Sequence, residues 1–278
     1  MLTDARLAVS NIAWTPELDE DAFTRLVALG VAGVEIAPGR IAAWDALTPE
    51  RVTAFRNRID GLGLRISSLQ AVLFGIEGAH LLGSESDFAV FRAHMERVAE
   101  IGGRLGAEVA VFGAPKNRLL HGRAPEAAAA LAAERLGLLA PAFQAAGMML
   151  GIEPVPFHYG GEFLTHADDV AALVHRINHP AIRLHLDTGC VFLGGDRIAD
   201  KVVRHAGILA HFHAAEPDLA GFAEPRAAHA DAAAALREIG YRRWVSIEMK
   251  PQGPDPLAAL EQAVRHVSAV YFGSASPE

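Results

Sequence analysis

The chain has a single cysteine, Cys190, among its 278 residues. It therefore forms no internal disulfide, which agrees with a reducing compartment. No run of 18 uninterrupted apolar residues occurs, so the simplest signal of a membrane-spanning helix is missing. The first residues, MLTDARLAVSNIAW, carry early charge and lack the apolar stretch of a secretion signal. The expectation is a cytoplasmic protein with no membrane partner. Positive charge is also scarce: 25 Lys and Arg stand against 33 Asp and Glu, for a formal net charge of -8. Such a balance exerts no general pull on phosphate backbones or anionic bilayers, and nucleic acid is not an expected partner. No linker-like or low-complexity segment divides the chain, and no GxGxxG follows the first strand-like run.

What remains is an ordinary globular composition, 51% hydrophobic and 21% charged, sufficient for a packed core. Short apolar runs alternate with longer amphipathic ones. Six joins, ALGVAGVEIAP, GLGLRISSLQ, RLGAEVAVFGAP, AAGMMLGIEPVP, HAGILAHFHAAE and EIGYRRWVSIEM, share one pattern. In each, a glycine (Gly30, Gly63, Gly106, Gly147, Gly207, Gly240) falls where a helix C-cap needs a left-handed residue, and a Val/Ile/Leu-rich run follows. Helix starts are marked by Thr15-Pro16-Glu17 and Thr48-Pro49-Glu50, and Thr165 to Asp168 resembles a capping box. Eight strands are predicted near residues 6–11, 31–36, 64–70, 108–113, 148–153, 182–187, 208–213 and 243–248, with a last helix near 255–271. The fold class expected is α/β, a (β/α)8 TIM barrel forming a single domain over residues 1–278, in preference to a doubly wound sheet.

In such a barrel the reactive groups lie at the C-terminal ends of the strands. Strand five ends GIEP at Glu153, strand six HLD at Asp187, strand seven HFH at His213 and strand eight SIE at Glu248. Each lies about one strand-helix unit from the next, so all four can converge at one mouth. Three carboxylates there would repel one another and raise their pKa values unless they shared a cation. A hard, oxygen-rich set with one imidazole suits Mn2+, Mg2+ or Co2+, with Zn2+ a further option. The alternative is four separate charges satisfied by helix N-termini or lysines.

This Glu-Asp-His-Glu set and its spacing resemble those of the ketose 3-epimerases. The whole chain is similar to the xylose isomerase-like TIM-barrel superfamily of sugar phosphate isomerases and epimerases, which also includes hydroxypyruvate isomerases, inosose dehydratases and endonuclease IV. The resemblance implies a divalent metal, Mn2+ first among the choices, held by Glu153, Asp187, His213 and Glu248. It also implies that Glu153 and Glu248 act as the catalytic bases. A hydroxy-ketone bound through its oxygens would be polarised and its enediolate stabilised. Proton return to the opposite face gives epimerisation, return to the neighbouring carbon gives isomerisation, and expulsion of a β-hydroxyl gives elimination.

The expected function is a metal-dependent isomerase or epimerase acting on a small sugar, keto-sugar or cyclitol. The alternative is a lyase (dehydratase, decarboxylase or 3-keto-glycoside-cleaving enzyme) using the same chemistry. A non-catalytic barrel that binds a ligand is a further reading. DNA repair of the endonuclease IV kind would need more strand-end histidines and a basic groove.

Substrate-binding candidates are Glu35 after strand two, Gln70 after strand three, Lys116 in FGAPKNR, His158 in EPVPFHYGGEF and His229 in PRAAHADAAAAL. For Lys116 and its neighbour Arg118 the alternative is a solvated loop, and for His158 and Tyr159 it is loop packing. His185 and His211 precede ligands by two residues, so strand alternation places them one layer deeper as hydrogen-bonding partners of the ligands. His166, His175, His179 and His266 read as surface residues. Relatives usually present a histidine soon after the strand-six aspartate and an arginine after the strand-seven histidine. This chain has Cys190 near the first and Ala214 to Leu219 near the second, so its substrate is held differently from a free ketohexose. A small carbohydrate is the expected partner, and the outer barrel surface is compatible with a homo-oligomer.

Overall fold

The computed structural model describes residues 6–273. Eight parallel strands, β1 Leu7–Ser10, β2 Gly33–Ile36, β3 Arg65–Leu69, β4 Val109–Phe112, β5 Met149–Ile152, β6 Ile182–Asp187, β7 Leu209–Ala215 and β8 Val245–Glu248, pair in chain order. Pairing of β1 with β8 closes the barrel. Around it run α1 Asp19–Ala28, α2 Pro49–Gly61, α3 Glu85–Leu105, α4 Pro125–Gly137, α5 Ala140–Ala145, α6 Ala167–Ile177, α7 Thr188–Leu193, α8 Ile198–Arg204, α9 His229–Glu238 and α10 Pro256–Val267. The barrel expected from the apolar rhythm is therefore present, and each strand lies within about two residues of its expected place.

Local signals account for most of these boundaries. Gly30, Gly63, Gly106, Gly147 and Gly240 adopt positive φ after their helices, whereas Gly207 lies in a 3-10 turn over Ala206–Ile208. Thr48 caps α2 by accepting the Arg51 N–H. The box expected at Thr165 is absent: α6 starts without a side-chain cap, because Asp168 instead takes Lys201 and His205, each at 2.7 Å. A complete capping box occurs at Ser84 and Asp87, at the start of α3.

The apolar core fills the layer between strands and helices, with Phe23, Phe91, Phe112, Phe143 and Phe212 all buried. The barrel interior is divided. At its N-terminal end Trp244 lies fully buried, its indole N–H donating to Glu108 at 3.0 Å, with the Arg65 guanidinium 5.1 Å from its ring. Toward the other end the lining turns polar, with Ser10, Glu35, Ser68, His185, His211 and Ser246 all buried. Register shifts at Val34/Glu35 and Leu184/His185 set Glu35 beside Ser68 and Asp187 beside His213; irregularities of this kind re-aim side chains next to functional sites.

Gly33 makes room for the Trp244 plug, since a Cβ there would stand 2.7 Å from the indole ring. Gly33→Ala is expected to destabilise the protein by about 1–3 kcal/mol through overpacking, read as a lower urea midpoint at unchanged slope. A shift below about 0.5 kcal/mol, the scale of an ordinary surface substitution, would show that Trp244 moves aside freely.

Candidate active site

Glu153, Asp187, His213 and Glu248 bring one potential ligand atom each to within 4.8 Å of one another. The ends of β6 and β7, which carry Asp187 and His213, are tied together by Thr188, whose hydroxyl donates to the Ala215 carbonyl at 2.6 Å and accepts the Ala215 N–H at 2.9 Å. Asp187 divides its two oxygens. Oδ1 caps α7 by accepting the Cys190 N–H at 2.6 Å, while Oδ2 is buried without a hydrogen-bond partner. The helix-cap alternative thus accounts for one oxygen and leaves the other aimed at the cluster. Gly113, at the end of β4, leaves space for the Glu153 carboxylate, since any Cβ there would collide with Oε2.

Beneath the cluster, the Nε2 atoms of both His213 and His211 lie 3.0 Å from Glu35 Oε2, and the Ser68 hydroxyl donates to the same oxygen at 2.7 Å. His213 Nε2 is therefore engaged below, and Nδ1 faces Asp187 at 3.6 Å and Glu248 at 3.2 Å. A carboxylate behind a ligating imidazole in this manner fixes its tautomer and orientation. Glu35 was expected among the substrate contacts. The structure corrects this: the residue is completely buried and holds the site from below. His211 lies in the deeper layer expected of it, but its hydrogen bond goes to Glu35 and not to a member of the four-residue cluster. His185 stacks edge-on against His213 at 4.2 Å between ring centroids, and both its nitrogens lack partners. With His211 and His213 both committed to Glu35, the three imidazoles form a polar floor to the site.

The electrostatics follow from packing acids in a dry place. Burial, then the Asp187 and Glu248 charges, push the Glu153 carboxyl up to about 8. Burial also raises Glu248, against the pull of His213. Burial alone would lower the His213 imidazolium, but Glu35 and then Glu248 hold it well above its ordinary value. Two carboxyls raised by burial, an orphaned Asp187 oxygen and an imidazole nitrogen turned among them fit a hard divalent cation.

The remaining candidates separate clearly. Gln70 and Lys116 line a cavity of about 820 Å3 together with Glu153 and Glu248. Arg118, on the same loop as Lys116, does not conform to the solvated-loop reading: it is buried, and its Nη2 donates to the Glu153 carbonyl at 2.7 Å. Burial lowers its pKa to about 10, against the opposing effect of Glu153. His158 is exposed and bonds Asp218 Oδ1 at 2.6 Å, tying the loops after β5 and β7 together, so loop packing describes its contacts. Tyr159 lines a smaller cavity of about 150 Å3 beside the acids, with Cys190, Glu216 and Leu219.

His229, also expected at the substrate, is buried with both nitrogens spent, on Glu216 at 2.6 Å and on the Tyr271 hydroxyl at 2.8 Å. Its contacts differ from that expectation: neither nitrogen is free toward the large cavity, whose lining does not include it. Glu216 was missed, although it lies three residues past His213 in HFHAAE. Its carboxylate gathers the N–H groups of Arg226 and Ala227, pinning the loop that follows β7. Cys190 Sγ lies 3.7 Å from Glu153 Oε1. Burial and the surrounding carboxylates drive its pKa well above the ordinary thiol value, which keeps it a neutral thiol.

A closed eight-stranded barrel with strand-end acids and a buried imidazole is a (β/α)8 barrel whose mouth could hold a metal ion. The family model described as xylose isomerase-like TIM barrel matches residues 23–270, and the chain belongs to that family. No curated protein sequence matches it significantly. Among solved structures, it is similar to a 3-keto-D-glucoside 4-epimerase from E. coli at 16% identity and TM-score 0.79, covering 96% of this chain and 100% of that one. It is also similar to a D-psicose 3-epimerase from Clostridium cellulolyticum H10 solved with D-tagatose, at 15% identity and TM-score 0.80, covering 96% and 99%. An L-ribulose 3-epimerase is similar at 18% identity and TM-score 0.79, covering 97% and 95%. At such identities the likeness is one of fold.

Glu35→Gln is expected to weaken Mn2+ binding about 10- to 100-fold with the circular dichroism unchanged, and equal affinity in titration calorimetry would remove Glu35 from its supporting role. Because a cation must displace the proton that Glu153 keeps to about pH 8, Mn2+ loading near neutrality is expected to release protons and to tighten as pH rises toward that value. Calorimetry in buffers of different ionisation enthalpy measures the release; a heat that is the same in all of them would contradict the assignment.

Proposed function

We propose that the protein is a divalent-metal-dependent isomerase or epimerase of a small sugar, keto-sugar or cyclitol, acting in the cytoplasm. The observation that carries this reading is that Glu153 and Glu248, which arrive from β5 and β8, belong both to the four-residue donor cluster and to the lining of the large cavity. Glu153, Asp187, His213 through Nδ1, and Glu248 would hold the metal, with Mn2+ first and Mg2+, Co2+ and Zn2+ as alternatives. Bound there, it would supply the positive charge that polarises the oxygens of a hydroxy-ketone.

The proton chemistry belongs to the chain. One glutamate carboxylate takes the proton from the carbon beside the carbonyl, and the other returns one. Return to the opposite face inverts that carbon, and return to the adjacent carbon moves the carbonyl. Burial suits both roles, because it raises both carboxyls, Glu153 to about 8, and a more basic carboxylate is a better proton acceptor. Lys116 and Gln70, on the cavity wall, would orient the sugar's hydroxyls. The similar structures named above as 3- and 4-epimerases support a sugar substrate.

Incubation of Mn2+-loaded protein with keto-sugars in D2O is expected to place deuterium on the carbon beside the carbonyl. Glu153→Gln and Glu248→Gln are each expected to reduce exchange by at least about 100-fold, with metal content measured in each variant. Loss of water, carbon dioxide or an aglycone in place of simple exchange would assign the lyase reading. Absence of exchange for all substrates would reject proton transfer altogether.

A further inference from the structure

The large cavity extends well beyond the acids. At about 820 Å3 it falls within the roughly 300–1,000 Å3 of pockets that enclose a drug-sized ligand. Away from Glu153 and Glu248 its walls are residues 70–78 after β3 and 113–117 after β4. The first presents Phe74 and Ile76, with Val72 and Leu73 buried behind them and Glu77 and His80 beside them, and the second presents Ala114 and Pro115 next to Lys116. Phe74 is 84% exposed at the rim, an unusual place for a phenyl ring with nothing to cover it. A bare sugar, whose surface is mostly hydroxyl, would satisfy the acids and leave this apolar wall wet.

The wall is built in advance. His94 bonds the Val72 carbonyl at 2.7 Å, the Asn117 side chain donates to the Ala79 carbonyl at 2.7 Å, and the Leu81 N–H donates to the Asn117 carbonyl at 2.7 Å. Arg135, itself buried, donates to the carbonyls of Leu81 and Gly83. The segments after β3 and β4 are thus tied to each other and to α3 and α4, so little ordering is required when a ligand arrives.

We propose that the substrate is a sugar bearing an apolar substituent, a keto-glycoside with an aryl or alkyl aglycone being the simplest class. Its sugar oxygens face the donor cluster, and its substituent lies against Phe74 and Ile76. The inference rests on the metal-dependent sugar reading, and it explains why the acids and the apolar wall share one continuous cavity. It also agrees with the crowded side of the acids, where the small cavity holds Cys190 and Glu216 and leaves the bulk of a substrate only the other direction.

Two metal-chelating probes separate this inference from its foundation. Acetohydroxamate presents the chelating oxygens alone, and 4-phenylbutyrohydroxamate adds an apolar tail. With Mn2+-loaded protein, titration calorimetry is expected to show the phenyl compound binding at least about tenfold more tightly. In the double variant Phe74→Ala, Ile76→Ser the ratio of the two affinities is expected to fall to near one. Equal affinities for the wild-type protein would overturn the apolar subsite while keeping the metal reading. Equal affinity of the phenyl compound for Mn2+-loaded and metal-free protein would support the subsite and overturn the metal reading, and binding of neither compound would overturn both. A wild-type dimer that Phe74→Ala converts to monomers, with the tail's gain unchanged, would assign the rim to a second copy of the chain and overturn the proposal.

Discussion

Two carboxylates about 4 Å apart repel by about 4 kcal/mol at an effective dielectric near 20, and this chain gathers three of them at one end of a closed barrel. Glu153, Asp187 and Glu248 come from three strands, and their donor atoms lie within 4.8 Å of each other and of His213. Without added positive charge the set relieves itself by keeping protons, as the rise of Glu153 to about 8 shows. Much of the surrounding structure is a response to that concentration of acid. His213 is the one imidazole within the set, and its Nε2 is already engaged by Glu35 from below. Arg118 approaches from behind, but its hydrogen bond goes to the Glu153 backbone and not to the carboxylate. A divalent ion at the centre would offset the imbalance more completely than either.

The same constraint explains the unusual interior. A barrel of this class commonly packs its centre with branched apolar side chains, yet here Glu35, Ser68, His185 and His211 lie beneath the mouth, each fully or almost fully buried. A buried polar layer is costly unless its members satisfy one another. Glu35 Oε2 collects three donors, and His211 and His213 outweigh the effect of burial to hold its carboxyl well below the usual range. The anion below and the imidazole above form one unit that turns Nδ1 toward the acids. Below that layer the barrel returns to ordinary packing around Trp244.

Around the mouth the loops divide the labour. After β7, Glu216 and His229 lock their own loop, with Tyr271 as the far anchor. After β5, Tyr159 and His158 reach across to Asp218. These contacts close one side of the acids tightly around Cys190. The segments after β3 and β4 are equally well tied down but stand further back, and they leave an open, largely apolar hollow. On the crowded side the acids are flanked by the Cys190 thiol and the loop-holding Glu216 carboxylate.

The eight strands, the helices between them and the four strand-end donors were all legible in the sequence. Apolar periodicity, capping residues and glycine joins are local signals, and strand alternation carries a residue's side by simple parity. Local patterning did not decide the partners. Glu35 and Glu153 both follow apolar runs, yet a register shift turns Glu35 into the floor while Glu153 faces the cavity. His229 reads as a loop residue free to reach substrate until Glu216 and Tyr271 take both its nitrogens. Arg118 and Lys116 sit two positions apart, one buried behind a ligand strand and the other in water. The sequence by itself determined the barrel and the identity of its acidic mouth, because both rest on short-range rules. Only the tertiary structure decided which atoms face one another at the mouth, which residues support them and where a cavity opens, because those depend on contacts between segments far apart in the chain.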